Sequence, residues 1–225
     1  AFDVAASCSG FLYGLSMADC FIRSGRSRRC LVVAAEIKSR FLDLQDEATA
    51  ILFGDGAGAA LLIGEDAGGG QPRGIMGVRL YADGAGHDLI KIPAGGSRLP
   101  ASAQTVQGRL HTIRMQGKPL FRVAVKRLAG AVTDLLKEFG VGIDDLAQVI
   151  FHQANGRLLS ALGKKLGIPP EKTFSVIEQA GNTSSASLPI ALDRAVGAGR
   201  LSAGDLVLLG AFGGGLTWAT ALFRH

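Results

Sequence analysis

Charge is scarce in this chain, and so are aromatic rings. Only 19% of its 225 residues are charged and 6% are Phe, Trp or Tyr, whereas 48% are hydrophobic. That balance excludes general disorder and supplies one substantial core or two modest halves. Three cysteines, at positions 8, 20 and 30, make neither a disulfide framework nor a CxxC zinc pattern. A reducing compartment and thiol chemistry are the better reading, with no metal site expected. A signal-like charged lead-in is also lacking. The chain opens Ala1-Phe2-Asp3-Val4-Ala5-Ala6, as a buried strand already under way, so a start in mid-domain is expected. The uncharged run at 206–223 approaches the ~18 apolar residues that would span a bilayer. Gly213-Gly214-Gly215 cuts it in two, and two buried strands joined by a tight turn fit it better than a membrane helix. Basic runs interleaved with aromatics are missing, which argues against a nucleic-acid platform. The net charge of +5 and pI near 9.4 point instead to an acidic protein or a phosphorylated ligand.

What the chain does contain is a repeat. Residues 2–6 read as a strand leading to Cys8, an apolar helix, Ser24-Gly25-Arg26 and a strand at 31–35. Residues 173–177 read as a strand leading to Asn182, a similar helix, Ala198-Gly199-Arg200 and a strand at 206–209. Cys8 to Arg26 and Asn182 to Arg200 are both separated by 18 positions. Each copy ends in a glycine-rich turn, Gly54-Asp55-Gly56 or Gly213-Gly214-Gly215, and a further apolar strand. Neither turn fits a GxGxxG or P-loop spacing, and hairpin glycines are expected at both. Between the copies, 116–139 carries a helical stripe through Phe121, Val125, Leu128, Val132, Leu135, Leu136 and Phe139, with Arg122, Lys126 and Arg127 on the opposite side. A short buried strand at 149–151 ends at His152, and a helix over 156–166 follows, stopped by Gly167 and Pro169-Pro170. Stretches 67–74 and 94–107 read as surface loops or connections. Alternating strands and helices imply an α/β layered sandwich with mostly parallel strands.

Three polar side chains therefore stand at strand-to-helix junctions. Cys8, among Ala6, Ser7, Ser9 and Gly10, is a nucleophile whose thiolate a helix N-terminus would favour, or else a small buried hydrophobe, as Cys20 and Cys30 are expected to be. His152 and Asn182 could both donate hydrogen bonds to one carbonyl oxygen; the alternatives are a satisfied core histidine and an N-cap. His87, His111 and His225 read as surface residues. A glycine amide in the 213–215 turn could complete an oxyanion hole.

The runs Asp3-Val4-Ala5-Ala6-Ser7-Cys8-Ser9-Gly10-Phe11, His152-Gln153-Ala154-Asn155, Gly181-Asn182-Thr183-Ser184-Ser185-Ala186-Ser187 and Ala211-Phe212-Gly213-Gly214-Gly215-Leu216-Thr217-Trp218 resemble, in this order, the motifs of β-ketoacyl-[acyl-carrier-protein] synthase III. The resemblance covers essentially the whole chain. It implies a thiolase-like α-β-α-β-α sandwich of two pseudo-repeated halves, 1–66 with the cysteine and 67–225 with the histidine and asparagine. By the same resemblance the N-terminal half would be incomplete, since roughly the first third of the family chain has no counterpart. It also implies a Cys8, His152, Asn182 triad, an oxyanion hole from the Cys8 and Gly214 amides, and a substrate channel lined by Gly117, Phe121, Ala154, Asn155, Phe53 and Phe212. Arg122, Arg157, Lys164 and Lys165 match basic positions where acyl carrier protein would dock. The implied reaction joins an acyl group from acyl-CoA to malonyl-carrier protein, with CoA as substrate and no cofactor, in a cytoplasmic homodimer without nucleic-acid or membrane partners. A priming ketosynthase or acyltransferase of secondary metabolism, and a silent or truncated dimer partner, are the alternatives. Two positions depart from the pattern. Glu47 stands where some members carry an adenine-packing arginine, and Lys38 where an apolar wall of the acyl pocket is expected. A chain lacking that first third should expose apolar strand faces.

Overall fold

The computed structural model describes residues 1–65 and 73–225, whose elements stack in layers. The helices are α1 (Gly10–Arg23), α2 (Glu47–Ala50), α3 (Ala103–Gln107), α4 (Gly117–Phe139), α5 (Gly156–Leu166), α6 (Ile177–Ala180) and α7 (Ser187–Gly197). The strands are β1 (Arg29–Glu36), β2 (Gly56–Ile63), β3 (Gly74–Ala82), β4 (Ile90–Lys91), β5 (Arg114–Met115), β6 (Leu146–Phe151), β7 (Leu206–Gly213) and β8 (Thr217–Arg224).

One sheet has the order β3-β8-β7-β6, and β1 pairs with β2 in a second. Helix α1 packs on β1 in one sheet and on β3 and β8 in the other, while α7 packs on β2 and β6. These two helices form the layer between the sheets, where Phe11, Leu12, Leu188, Ala191 and Ala195 are buried. The far face of the larger sheet is covered by α4 and α5, whose Leu128, Val132, Leu135 and Leu162 pack with Phe151, Leu208 and Leu222. The far face of β1 and β2 is open: Leu31, Val33, Leu61 and Ile63 are each more than half exposed. Four layers of the expected sandwich are therefore in place, and exposed apolar strand faces, also expected, are observed on β1 and β2.

The repeat is visible in three dimensions. Strands β1 and β2 pair antiparallel over eight positions, and β7 and β8 do the same, each first strand following a helix of the central layer. The connection differs, since β7 turns directly into β8 whereas 37–55 loops out between β1 and β2. The uncharged run at 206–223 is this β7–β8 pair, and no described helix is long and apolar enough to cross a membrane.

Several expectations are corrected. The strands are mostly antiparallel, and only β6 and β7 run parallel among the named ones; an apolar run reports burial and carries no direction. Residues 2–6 form no strand, and Phe2 is 61% exposed, because no strand among the described residues takes up their backbone groups. Residues 173–177 make a single bridge, Thr173 with Val149. Beyond it the Gln153 side chain accepts the Val176 N–H at 2.9 Å and replaces a ladder partner. Cys20 is exposed and Cys30 intermediate, so neither is buried. His87 is exposed, but His111 and His225 are half-buried, and His111 is bonded to Thr105 Oγ1. Stretch 94–107 includes α3, started by a Ser102 capping box. Gly54 and Gly56 are not hairpin glycines. A Cβ at Gly54 would lie 2.6 Å from the Ala180 carbonyl oxygen, so these glycines permit close approach of the 180–183 segment. The boundary expected between 66 and 67, and most of 67–74, lie outside the described residues.

Candidate active site

Cys8 lies in the single turn Ser7–Ser9 that runs into α1. Burial of Phe11, Leu12, Leu15 and Ala18 fixes the direction of that helix. The thiol is held against the β7–β8 hairpin, because Thr217 Oγ1 donates to the Ala6 carbonyl at 2.8 Å and Ser9 Oγ to the Thr217 carbonyl at 3.2 Å. A Cβ on Gly213 would lie 2.6 Å from the Cys8 nitrogen, so only glycine lets this hairpin reach the Cys8 turn. Two of the three non-glycine residues with positive φ among the described residues, Ser7 at 49° and Ser184 at 53°, flank the sulfur. Such backbone costs roughly 1–3 kcal/mol per residue and is retained where the surroundings over-determine it.

His152 follows the buried strand β6 and is anchored by its N–H to the Gly210 carbonyl at 2.7 Å. Its Nδ1 lies 2.6 Å from Ser187 Oγ, and the residue is 2% exposed. Asn182 is held by Leu52 and Gly54 on either side: its N–H donates to the Leu52 carbonyl, and its carbonyl accepts from Gly54 N–H. Its Oδ1 accepts the Ser184 N–H at 2.9 Å. That bond fixes the amide orientation and leaves the Nδ2 hydrogens as its free donors. Gln153 is fully buried, bonded to Phe151, Ser175 and Val176, and holds the segment leading to Asn182.

A cavity of about 110 Å³ brings Cys8, His152 and Asn182 together. Its lining also contains Gly214, Gly117, Phe121, Ala154, Asn155, Phe53 and Phe212, every residue the sequence placed in the channel or at the oxyanion position. Asn155 does a second job, its Oδ1 capping α5 through Leu158 N–H at 2.8 Å. Sequence reasoning missed Leu52, Ile90, Met115, Leu120, Ala124 and Leu158, which make most of the remaining wall. Leu120, Ala124 and Leu158 were legible as three residues along from Gly117, Phe121 and Asn155 in turn; Ile90 and Met115 come from the short β4–β5 pair, which no periodicity announced.

Burial alone would push the Cys8 thiol up. The field of His152, its hydrogen bond, the Ser184 hydroxyl 3.4 Å from the sulfur and the Lys38 charge outweigh burial and bring the value from 9.0 down to about 7. Lys38 does not line the cavity wall; it pairs with Glu36 at 2.8 Å, and Glu36 accepts from Ser185 Oγ at 2.6 Å. Burial pushes Glu36 up, but the bonds from Lys38 and Ser185 hold its carboxyl below the ordinary range. Glu47 is exposed at the start of α2 and away from the cavity.

Arg122, Arg157, Lys164 and Lys165 are all exposed and outside the cavity lining. None forms an ion pair among the described residues. Arg122 and Arg157 adjoin the lining residues Phe121 and Leu158, whereas Lys164 and Lys165 occupy the last turn of α5, about 10 Å further along the helix.

Two stacked sheets around a shared helical layer, with a buried thiol beside an imidazole and a carboxamide, define the thiolase-type class of condensing enzymes. Residues 2–84 match the family described as 3-oxoacyl-[acyl-carrier-protein (ACP)] synthase III, and residues 136–225 match the C-terminal part of the same family. The chain belongs to this family of acyltransferases. It is 47% identical over its whole length to the β-ketoacyl-[acyl-carrier-protein] synthase III of Rhizorhabdus wittichii, spanning 67% of that protein. The solved 3-oxoacyl-[acyl-carrier-protein] synthase III of Aquifex aeolicus superposes with a TM-score of 0.87 at 41% identity, covering all of this chain and 67% of that one. A priming β-ketosynthase of a polyketide pathway superposes at 0.86 with 36% identity, covering 99% of this chain and 65% of its own.

Proposed function

We propose that this chain carries the condensing site of a β-ketoacyl-[acyl-carrier-protein] synthase III, with Cys8, His152 and Asn182 as its catalytic residues. The observation that carries the reading is one small, apolar-walled cavity containing all three, beside a thiol lowered to about 7. The Cys8 thiolate attacks the thioester carbon of acyl-CoA, the Cys8 and Gly214 amides bind the oxyanion, and the C–S bond breaks to release CoA thiolate. Malonyl-carrier protein then enters. His152 and the free Nδ2 of Asn182 donate to its thioester carbonyl, the bond to the carboxylate breaks, CO2 leaves and the electron pair becomes an enolate. The enolate carbon attacks the acyl-Cys8 carbonyl and expels the Cys8 thiolate. The sum is acyl-CoA, malonyl-carrier protein and one proton giving 3-oxoacyl-carrier protein, CO2 and CoA. Each donor lost should raise the barrier by about 2.7 to 4 kcal/mol. CoA is a substrate here, and the chemistry calls on no cofactor.

Docking of the acidic carrier protein falls to Arg122 and Arg157 at the cavity mouth, ahead of Lys164 and Lys165, and such charges raise association rate more than affinity. The working form is a cytoplasmic homodimer. Residues 1–66 and 67–225 act as the two halves of one catalytic fold. The similarity to a priming ketosynthase favours one second reading, the same chemistry with another primer.

Intact mass spectrometry after incubation with a panel of acyl-CoAs tests the reading. An acyl adduct that disappears in Cys8→Ala is expected, and the preferred mass names the primer. Absence of any adduct with an otherwise folded chain overturns the proposal in favour of a silent partner. Reversing the charge of Arg122 and Arg157 together should raise KM for malonyl-carrier protein about tenfold and leave Cys8 acylation unchanged; equal loss of both removes the docking assignment.

A further inference from the structure

We infer that Ser187 is a positioning residue that sets the tautomer of His152 and so makes it a donor for the decarboxylation step; the inference rests on the condensing reaction proposed above. Ser187 opens α7 and is 1% exposed. Its Oγ has two partners among the described residues: the backbone N–H of Gln153 at 3.2 Å and His152 Nδ1 at 2.6 Å. The amide can only donate, so it occupies one lone pair of the hydroxyl. The hydroxyl proton then has a single acceptor available, His152 Nδ1. The opposite arrangement, with Nδ1–H donating to Oγ, leaves a buried hydroxyl proton without a partner, which burial disfavours. Nδ1 is therefore the acceptor, and in the neutral ring the proton sits on Nε2.

With Nδ1 held by Ser187, Nε2 is the nitrogen left to meet Cys8 and the cavity. Once Cys8 is acylated the thiolate is gone, and Nε2–H faces the carbonyl oxygen on which enolate charge develops. A ring in the other tautomer would offer that oxygen a lone pair and oppose the step. Ser187 is thus needed chiefly for decarboxylation, and the attack of Cys8 on acyl-CoA depends on it less, because Ser184 and Lys38 also lower the thiol. Gln153 shares the arrangement: its N–H fixes the hydroxyl, and its own side chain is locked to Ser175 and Val176.

Two readouts test this on the full chain. Nitrogen-15 chemical shifts of His152 in mildly alkaline buffer report the tautomer directly, read in Cys8→Ala so that no thiolate neighbours the ring, with and without Ser187→Ala. Nε2–H is expected with Ser187 and a mixture of tautomers without it. In the Cys8-intact chain, Ser187→Ala should keep acylation within about threefold of the parent. Release of CO2 from malonyl-carrier protein should fall about 10- to 100-fold, less than the roughly 10²–10³-fold of deleting a donor outright, and Ser187→Thr, which keeps the hydroxyl, should recover most of it. A proton found on Nδ1, an unchanged tautomer in Ser187→Ala, or equal loss of acylation and CO2 release overturns the inference. If the parent chain neither acylates nor releases CO2, the condensing reading fails while the shifts still decide whether Ser187 sets the tautomer.

Discussion

The two eight-pair ladders are near-copies in length and pairing, yet they live in different surroundings. Strand β7 is buried at almost every position, with α4 on one side and, on the other, Val207, Leu209 and Ala211 in one core with residues of the central helices. Strand β1 alternates, with Val32 and Ala34 turned to the central layer and Leu31 and Val33 turned to solvent. The difference shows where the site draws its rigidity. His152 and the glycine hairpin hang from the doubly covered sheet, and Cys8 is stitched to that hairpin through Thr217 and Ser9. The open ladder contributes from behind, through Glu36 and its bond to Ser185. The chain spans about two thirds of its relatives' length, and the open face is where an apolar surface is left to be covered.

The largest contrast is expected from matched truncations. Leu208→Ala in β7 removes a side chain with no exposure and should cost about 2–5 kcal/mol, the usual range for a cavity in a packed core. Leu31→Ala, on the equivalent β1 and 65% exposed, should stay within about 0.5 kcal/mol. Urea unfolding of the two variants checks the pair. A Leu31→Ala loss comparable to that of Leu208→Ala would mean that the β1–β2 face is covered in solution.

The same contrast explains what could be read from the sequence. The helices 117–139 and 156–166 were legible because one face of each meets a sheet and the other meets water, so their stripes are written in residue type. The proposed trio of Cys8, His152 and Asn182 was legible because each is presented into a run of small or polar residues, and the motif order supplied the rest. Strand direction was not legible, since buried runs look alike whichever way they point. The supposed strands at 2–6 and 173–177 failed for a related reason. Their residues have strand character, but a strand also needs a neighbour, and Gln153 or nothing stands in that place. Lys38 misled in the opposite sense: its position suggested a cavity wall, but Glu36 and Ser185 draw it into a polar cluster beside the site.

Next in size is the pH dependence of Cys8, which lies where the two regions meet. Its thiolate is the reactive form, so alkylation should rise with pH, reach half its plateau near pH 7 and level off above. A Cys20→Ser background removes the exposed thiol from the measurement. In His152→Ala the field and hydrogen bond that lower Cys8 are gone and burial still pushes it up, so the midpoint must move to higher pH. A midpoint that stays near 7 in His152→Ala would place the stabilisation elsewhere, in Ser184 or Lys38, and would weaken the link between Cys8 and the covered sheet.

The smallest effect is expected where the two ladders differ most. Leu31 and Leu61 are directly opposed across β1 and β2 and exposed by 65% and 57%. Changing them together to Lys and Glu replaces an exposed apolar pair with an opposite-charge pair, whose cross-strand interaction is worth roughly 0.2–1 kcal/mol. Little packing is lost with it, so the folding free energy should change by no more than about 0.5 kcal/mol. Cys8 acylation should not change, because the inward-facing residues of both strands and the Glu36 contact are untouched. What should fall is binding of an environment-sensitive apolar dye and the tendency to self-associate, since the open strip of Leu31, Val33, Leu61 and Ile63 is broken at its centre. A loss of about 2 kcal/mol or more, or of acylation, would show that this face is packed against something in the working protein and that its bareness belongs only to the isolated chain.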